Sequence, residues 1–160
     1  MTIQTGDKLP ETTLVKVTEG GPERVSTADY FKGRKVALFS VPGAFTPTCS
    51  AKHLPGFVEK AEELKAKGID EIVCTAVNDA FVMGAWGKNG DAGGSVTMLA
   101  DGNGDFAEAL GLTMDGSKFG LGKRGSRWSA IVDDGVVSEL NVEEPGAFSV
   151  SSAEYLIGQL

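Results

Sequence analysis

Two cysteines, one histidine and no long apolar run in 160 residues already exclude several kinds of protein. Two thiols, Cys49 and Cys74, are too few for a disulfide scaffold, and a chain of this length buries a core without staples. Together with the single histidine, His53, they match no usual zinc spacing, so no metal or other cofactor is expected. Basic residues are outnumbered, 15 against 22 acidic ones, for a net charge of −7. No Lys/Arg cluster is dense enough to track phosphates, which argues against a nucleic-acid partner. The longest apolar runs fall far short of a membrane span, so no membrane association is expected. The start of the chain, MTIQTGDKLPETTL, has no basic segment followed by an apolar core, as a secretory signal would. Free thiols without a signal suggest a reducing compartment, and the expectation is a cytoplasmic protein. Hydrophobic residues at 41% and charged residues at 23% are ordinary for a globular chain, and residues 1–160 are expected to form one domain.

What is plentiful is glycine, at 22 residues, which punctuates a series of short periodic segments. KVALFSVP, Lys35 to Pro42, is the kind of apolar β-rich run that forms a central strand buried on both faces. From Thr46 and Pro47 the pattern turns helical and runs to a stop at Gly68, with Pro55 expected to kink or interrupt it. DEIVCTAV is a second strand, and strand, helix, strand at this length implies a parallel right-handed crossover. A short helix opened by Asn78 or Asp79, a strand SVTMLAD and a helix GDFAEALGL follow. RWSAIVDDGVVSELNVEE predicts a hairpin turning at Asp134 and Gly135, and SSAEYLIGQL a capped closing helix. Parallel crossovers followed by an antiparallel hairpin give an α/β chain with a mixed central sheet flanked by helices, the element order of a thioredoxin-like fold.

Chemistry concentrates in VPGAFTPTCS, between the first central strand and the helix. With Thr46 as N-cap and Pro47 as first helical residue, Cys49 falls in the first turn, where free backbone N–H groups and the helix dipole favour a thiolate. A free cysteine is more often a small apolar packing residue. A position just beyond the carboxyl end of a parallel strand, where α/β sheets build their sites, weighs against that. Pro42 has no N–H and presents an apolar ring, so it can shield a thiolate. Thr46 is expected to cap the helix and can also exchange a hydrogen bond with a small substrate at the sulfur.

Pro42, Thr46 and Cys49 stand in the P-x-x-x-T-x-x-C pattern, and the sequence resembles the peroxiredoxins; the flanking KHLPGF and VNDAFVMGAW are similar to the type II, or peroxiredoxin-five, subgroup. The resemblance runs through nearly the whole chain. It implies a thiol peroxidase reducing hydrogen peroxide and small alkyl hydroperoxides, with Cys49 as the nucleophile that becomes a sulfenic acid. Such chemistry needs donors for both peroxide oxygens and a cation beside the sulfur. In GKRGSRWSAIV, Arg127 resembles the family's active-site arginine, with Arg124 as fallback; a guanidinium stays protonated and offers several fixed donors. His53, four residues after Cys49, is expected to pack or to support the site rather than act as a general base, since no oxyanion signature accompanies it.

Cys74 sits about three residues below the end of its strand, ~10 Å from the level of Cys49 at ~3.3 Å per residue. A disulfide needs Cα atoms within about 7 Å, so the Cys49 turn would have to unwind for Cys74 to act as resolving cysteine. A buried strand cysteine is as good a reading. The resemblance implies either that bond or a one-cysteine cycle served by glutaredoxin/glutathione, with thioredoxin as the other candidate donor. It also implies a homodimer, with Phe45, Phe81 and Trp86 as interface candidates. Two competing readings are a non-enzymatic thioredoxin-like redox-sensing or binding module, and a thiol-disulfide oxidoreductase, which the missing C-x-x-C disfavours.

Overall fold

The computed structural model describes residues 2–90 and 92–160. β1 (Thr13–Thr18) and β2 (Gly21–Ser26) form a hairpin, one helical turn α1 (Thr27–Tyr30) follows, and β3 (Lys35–Ser40) runs into the centre. Every β3 residue after Lys35 is buried, because alternate side chains face opposite sides and both sides are covered. Val36 and Leu38 join Phe31, Phe106 and Trp128 in one core layer; Ala37 and Phe39 join Phe57, Leu64 and Trp86 in the other.

Of the two alternatives at Pro55, the segment after Pro47 shows interruption rather than a smooth kink. Helical residues at Pro47 and Thr48 lead into a π-helical turn, Cys49–His53, closed by the Leu54 N–H on the Cys49 carbonyl; α2 (Leu54–Glu59) and α3 (Ala61–Ala66) follow, broken at Lys60. Pro55 has no N–H to return to Ala51, and its ring crowds the preceding turn, which widens to accommodate it. β4 (Glu71–Ala76), α4 (Ala80–Asn89) and β5 (Thr97–Ala100) complete the crossovers, and Asp79 caps α4 by accepting the Val82 N–H at 2.8 Å. α5 (Asp105–Leu110) packs on the opposite face, followed by a small ribbon of β6 (Thr113–Asp115) and β7 (Lys123–Gly125). β8 (Trp128–Asp133) and β9 (Val136–Val142) turn at Asp134 and Gly135, both at positive φ, and α6 (Ala153–Ile157) is capped by Ser152.

The main sheet has the order β2-β1-β5-β4-β3-β8-β9. β3, β4 and β5 are parallel; β1 and β8 flank them antiparallel. It is the thioredoxin-like α/β arrangement, with a mixed sheet covered on both faces. The β1–β2 hairpin and the β6–β7 ribbon are additions to the elements expected from the sequence. Register then sets the site. Cys74 lies beside Phe39 in the β3–β4 ladder, so both point to the same face of the sheet, the one carrying Cys49 and His53.

Candidate active site

β3 ends at Ser40, and the chain turns over the edge of the sheet through Pro42 and Gly43. A Cβ at Gly43 would stand 3.1 Å from Arg124 Nη1 and 3.2 Å from Thr46 Cγ2, so a side chain there would crowd both neighbours. The Ala44 N–H donates to Asn78 Oδ1 at 2.9 Å and ties the loop to the start of α4. Phe45 takes a left-handed φ of 65°, rare for a bulky residue, and is 51% exposed.

Thr46 stands at the helix entrance, its carbonyl accepting the Ser50 N–H at 2.9 Å. Its hydroxyl does not cap, contrary to the expectation: it donates to the Gly43 carbonyl at 2.6 Å. With its proton held there, Oγ1 presents lone pairs and can only accept from a further partner.

Cys49 is buried, and Arg127 Nη2 donates to its Sγ at 3.0 Å. Arg127 is thus the cation at the sulfur. Arg124, the fallback, bonds instead to the Leu121 and Val77 carbonyls. Arg127 Nη1 bonds to His53 Nδ1 at 2.7 Å, and His53 Nε2 to the Ser151 carbonyl at 2.8 Å. The carbonyl can only accept and the guanidinium can only donate, so His53 is neutral with its proton on Nε2. Burial, and then the nearby Arg127 charge, push its pKa down to about 3. His53 therefore supports Arg127 and has no base to offer. Phe148 was not legible as a site residue; its ring lies 5.0 Å from the His53 ring and 5.8 Å from the Arg127 guanidinium, covering both.

A histidine whose folded pKa lies below its unfolded value of about 6.5 lends stability above that pH and loses it as pH falls towards 3. Between pH 6.5 and 4.5 the loss should be about 2 kcal/mol. Urea unfolding of the native chain and of His53→Gln checks this: the native chain should lose that much more than the variant over the interval, and parallel curves would contradict it.

A cleft of about 450 Å³ opens at the site, lined by Pro42, Thr48, Met114, Arg127 and Glu143 among others. Pro42 and Arg127 stand in its wall, and Arg127 carries the contact on to the buried Cys49. Cys74 is fully buried, hydrogen-bonded into the ladder on both sides through β3 and β5. Burial first, and then the charge of Cys49, push its thiol pKa well up, with Arg127 opposing, so it stays protonated. Both cysteines are free. Of the three interface candidates, Phe45 and Phe81 are exposed, but Trp86 is buried and donates from Nε1 to Ser50 Oγ at 2.9 Å; it is a core residue holding the Cys49 turn against α4. Among the described residues, no cluster of three or more His, Cys, Asp or Glu side chains could hold a metal ion.

Residues 4–157 match the family model described as Redoxin. The chain is 54% identical to chloroplastic peroxiredoxin-2E-2 of Oryza sativa subsp. japonica, over 99% of this chain and 73% of that protein. It is 51% identical to chloroplastic peroxiredoxin-2E of Arabidopsis thaliana, over 99% and 69% respectively. Reduced Prx3 of Vibrio vulnificus in complex with H2O2 is similar at a TM-score of 0.95 and 49% identity, with 99% of each chain covered. The two chloroplastic relatives overturn the cytoplasmic expectation. Free thiols report a reducing environment and do not specify the compartment that supplies it.

Proposed function

The chain belongs to the peroxiredoxin family and is a thiol-dependent peroxidase, and from its site we propose how its residues divide that work and that it falls in the type II subgroup. The Arg127–Cys49 contact at 3.0 Å carries the assignment. The Cys49 thiolate attacks the terminal oxygen of the hydroperoxide; the S–O bond forms as the O–O bond breaks. Cys49 becomes a sulfenic acid, and the leaving oxygen takes a proton and departs as water or alcohol. Thr46 Oγ1 accepts from the peroxide hydroxyl. Arg127 stabilises first the thiolate and then the charge moving onto the oxygens. Pro42 shields the sulfur from water without offering it a hydrogen bond. The membership sets aside the non-enzymatic alternative.

Recycling takes two electrons from an external thiol, glutaredoxin/glutathione or thioredoxin, and needs no prosthetic group. The buried, protonated Cys74, paired in the ladder on both sides, supports a one-cysteine cycle over an internal disulfide. Cys74→Ser is then expected to keep at least half of its turnover with glutaredoxin/glutathione. Loss of turnover with one donor only would instead assign Cys74 to resolution for that donor.

A homodimer built on the face around Phe45 and Phe81 completes the proposal. Both aromatics are exposed, at 51% and 76%, and the Ala44–Asn78 bond holds their segments together. Phe45→Asp combined with Phe81→Asp should convert the dimer to monomer in sedimentation. A native chain that sediments as a monomer, or a double variant that remains dimeric, would rule that face out.

A further inference from the structure

We propose that Glu143 is a positioning residue for Arg127, acting through the backbone of residues 149–151 and through His53. The proposal rests on Arg127 being the cation of the reaction.

Glu143 follows β9 directly, at the open end of the β8–β9 hairpin, and is only 8% exposed although it carries a carboxylate. Its Oε2 accepts the backbone N–H groups of Ser149, Val150 and Ser151, each at 2.8 Å, and the Ser151 hydroxyl at 2.7 Å. Three consecutive N–H groups converging on one oxygen form an anion nest, and here the anion belongs to the chain itself. Burial works to raise the carboxyl pKa, but the Ser151 hydroxyl and the three N–H groups outweigh it and hold Glu143 below the usual carboxylate range. The carboxylate therefore persists through the neutral range.

That nest fixes the one group the site needs from this segment, the Ser151 carbonyl. Ser151 is fully buried, and its carbonyl takes the His53 Nε2 proton. Only with that proton on Nε2 does Nδ1 have a lone pair for Arg127 Nη1, which leaves Nη2 directed at the sulfur. Glu143 also holds the other end of the same residue, its backbone N–H donating to the Arg127 carbonyl at 3.0 Å. Glu143 thus bonds the Arg127 main chain directly and reaches its guanidinium only through residues 149–151 and His53. With an amide in place of the carboxylate, three adjacent N–H groups and the Ser151 hydroxyl share one uncharged acceptor oxygen, which holds the segment less firmly and lets it turn. The Ser151 carbonyl would turn with it, freeing His53 to change tautomer and Arg127 to swing off the sulfur.

The test is a double-mutant cycle on the rate of Cys49 oxidation by hydrogen peroxide, with Glu143→Gln made in the native chain and in Arg127→Ala. Glu143→Gln should slow oxidation about tenfold in the native chain and less than twofold when Arg127 is already gone. His53 is the only histidine, so its ring ¹⁵N resonances are unambiguous. They should read protonated Nε2 and unprotonated Nδ1 in the native chain, and a mixture of tautomers in Glu143→Gln. Ser151→Ala removes one of the four donors and is the milder probe if Glu143→Gln fails to fold; it should act two- to threefold, again only with Arg127 present. Equal slowing in both backgrounds, or an unchanged rate with native ¹⁵N signals, would overturn the proposal. If Arg127→Ala were itself without effect, the role of Arg127 would fall first, which is a separate result.

Discussion

Replacing Cys49 by serine is expected to abolish peroxide consumption with every thiol donor. The two side chains have nearly the same shape, and Arg127 Nη2 can donate to a serine hydroxyl as it does to Sγ. The variant should therefore fold normally. What disappears is the nucleophile: a serine hydroxyl does not ionise near neutrality, the His53 Nδ1 lone pair is engaged by Arg127, and the Glu143 carboxylate is engaged by residues 149–151. Steady-state peroxide consumption with glutaredoxin/glutathione and with thioredoxin measures this. Residual turnover above the no-enzyme rate would mean that another group, with Cys74 the first suspect, accepts oxygen.

Arg127→Ala is expected to slow the oxidation step by about 10²- to 10³-fold, the usual effect of removing one preorganised donor from a developing oxyanion. Two losses combine: the Nη2 contact to sulfur, and the positive charge that offsets the thiolate in a buried site. Arg127→Lys separates them. Lysine restores the charge, but a single ammonium does not hold His53 Nδ1 and Cys49 Sγ with the fixed geometry of a planar guanidinium, so recovery should be partial, still about tenfold below the native rate. Stopped-flow oxidation under single-turnover conditions isolates the step from recycling. Full recovery with lysine would reduce the role of Arg127 to its charge alone.

Where the sequence could be read, the determinants were local. The apolar run Val36 to Phe39 in β3, the caps at Asp79 and Ser152, and the Asp134–Gly135 turn each write their conformation into a few adjacent residues. Cys49 was legible for the same reason, as a thiol set between a strand end and a helix start. What could not be read depends on residues far apart. Arg127 meets Cys49 across 78 positions and His53 meets Ser151 across 98, so no window contains either pair. Arg127 stands apart from Arg124 more through the resemblance than through its place just before the apolar run; in space they are separated because residue 124 faces the Gly43 loop and residue 127 the sulfur. Thr46 shows the finer limit. Its place at the helix entrance was predictable, but whether its hydroxyl caps the helix or donates backwards depends on where the Gly43 carbonyl lies. β1 and β2 carry only a weak pattern, and β2 keeps three exposed residues in succession; the hairpin is anchored to the sheet through β1 on β5, some 85 residues away.

The fate of one peroxide oxygen shows whether Cys49, assisted by Arg127, is the group that reacts. Reduced Cys74→Ser protein is mixed with one equivalent of hydrogen peroxide without added thiol, quenched at intervals and weighed by peptide. One oxygen should appear on the Cys49 peptide, at the same rate as peroxide disappears and at least a hundredfold more slowly in Arg127→Ala. Peroxide lost without oxygen on Cys49, or oxygen gained there equally fast without Arg127, would contradict the account.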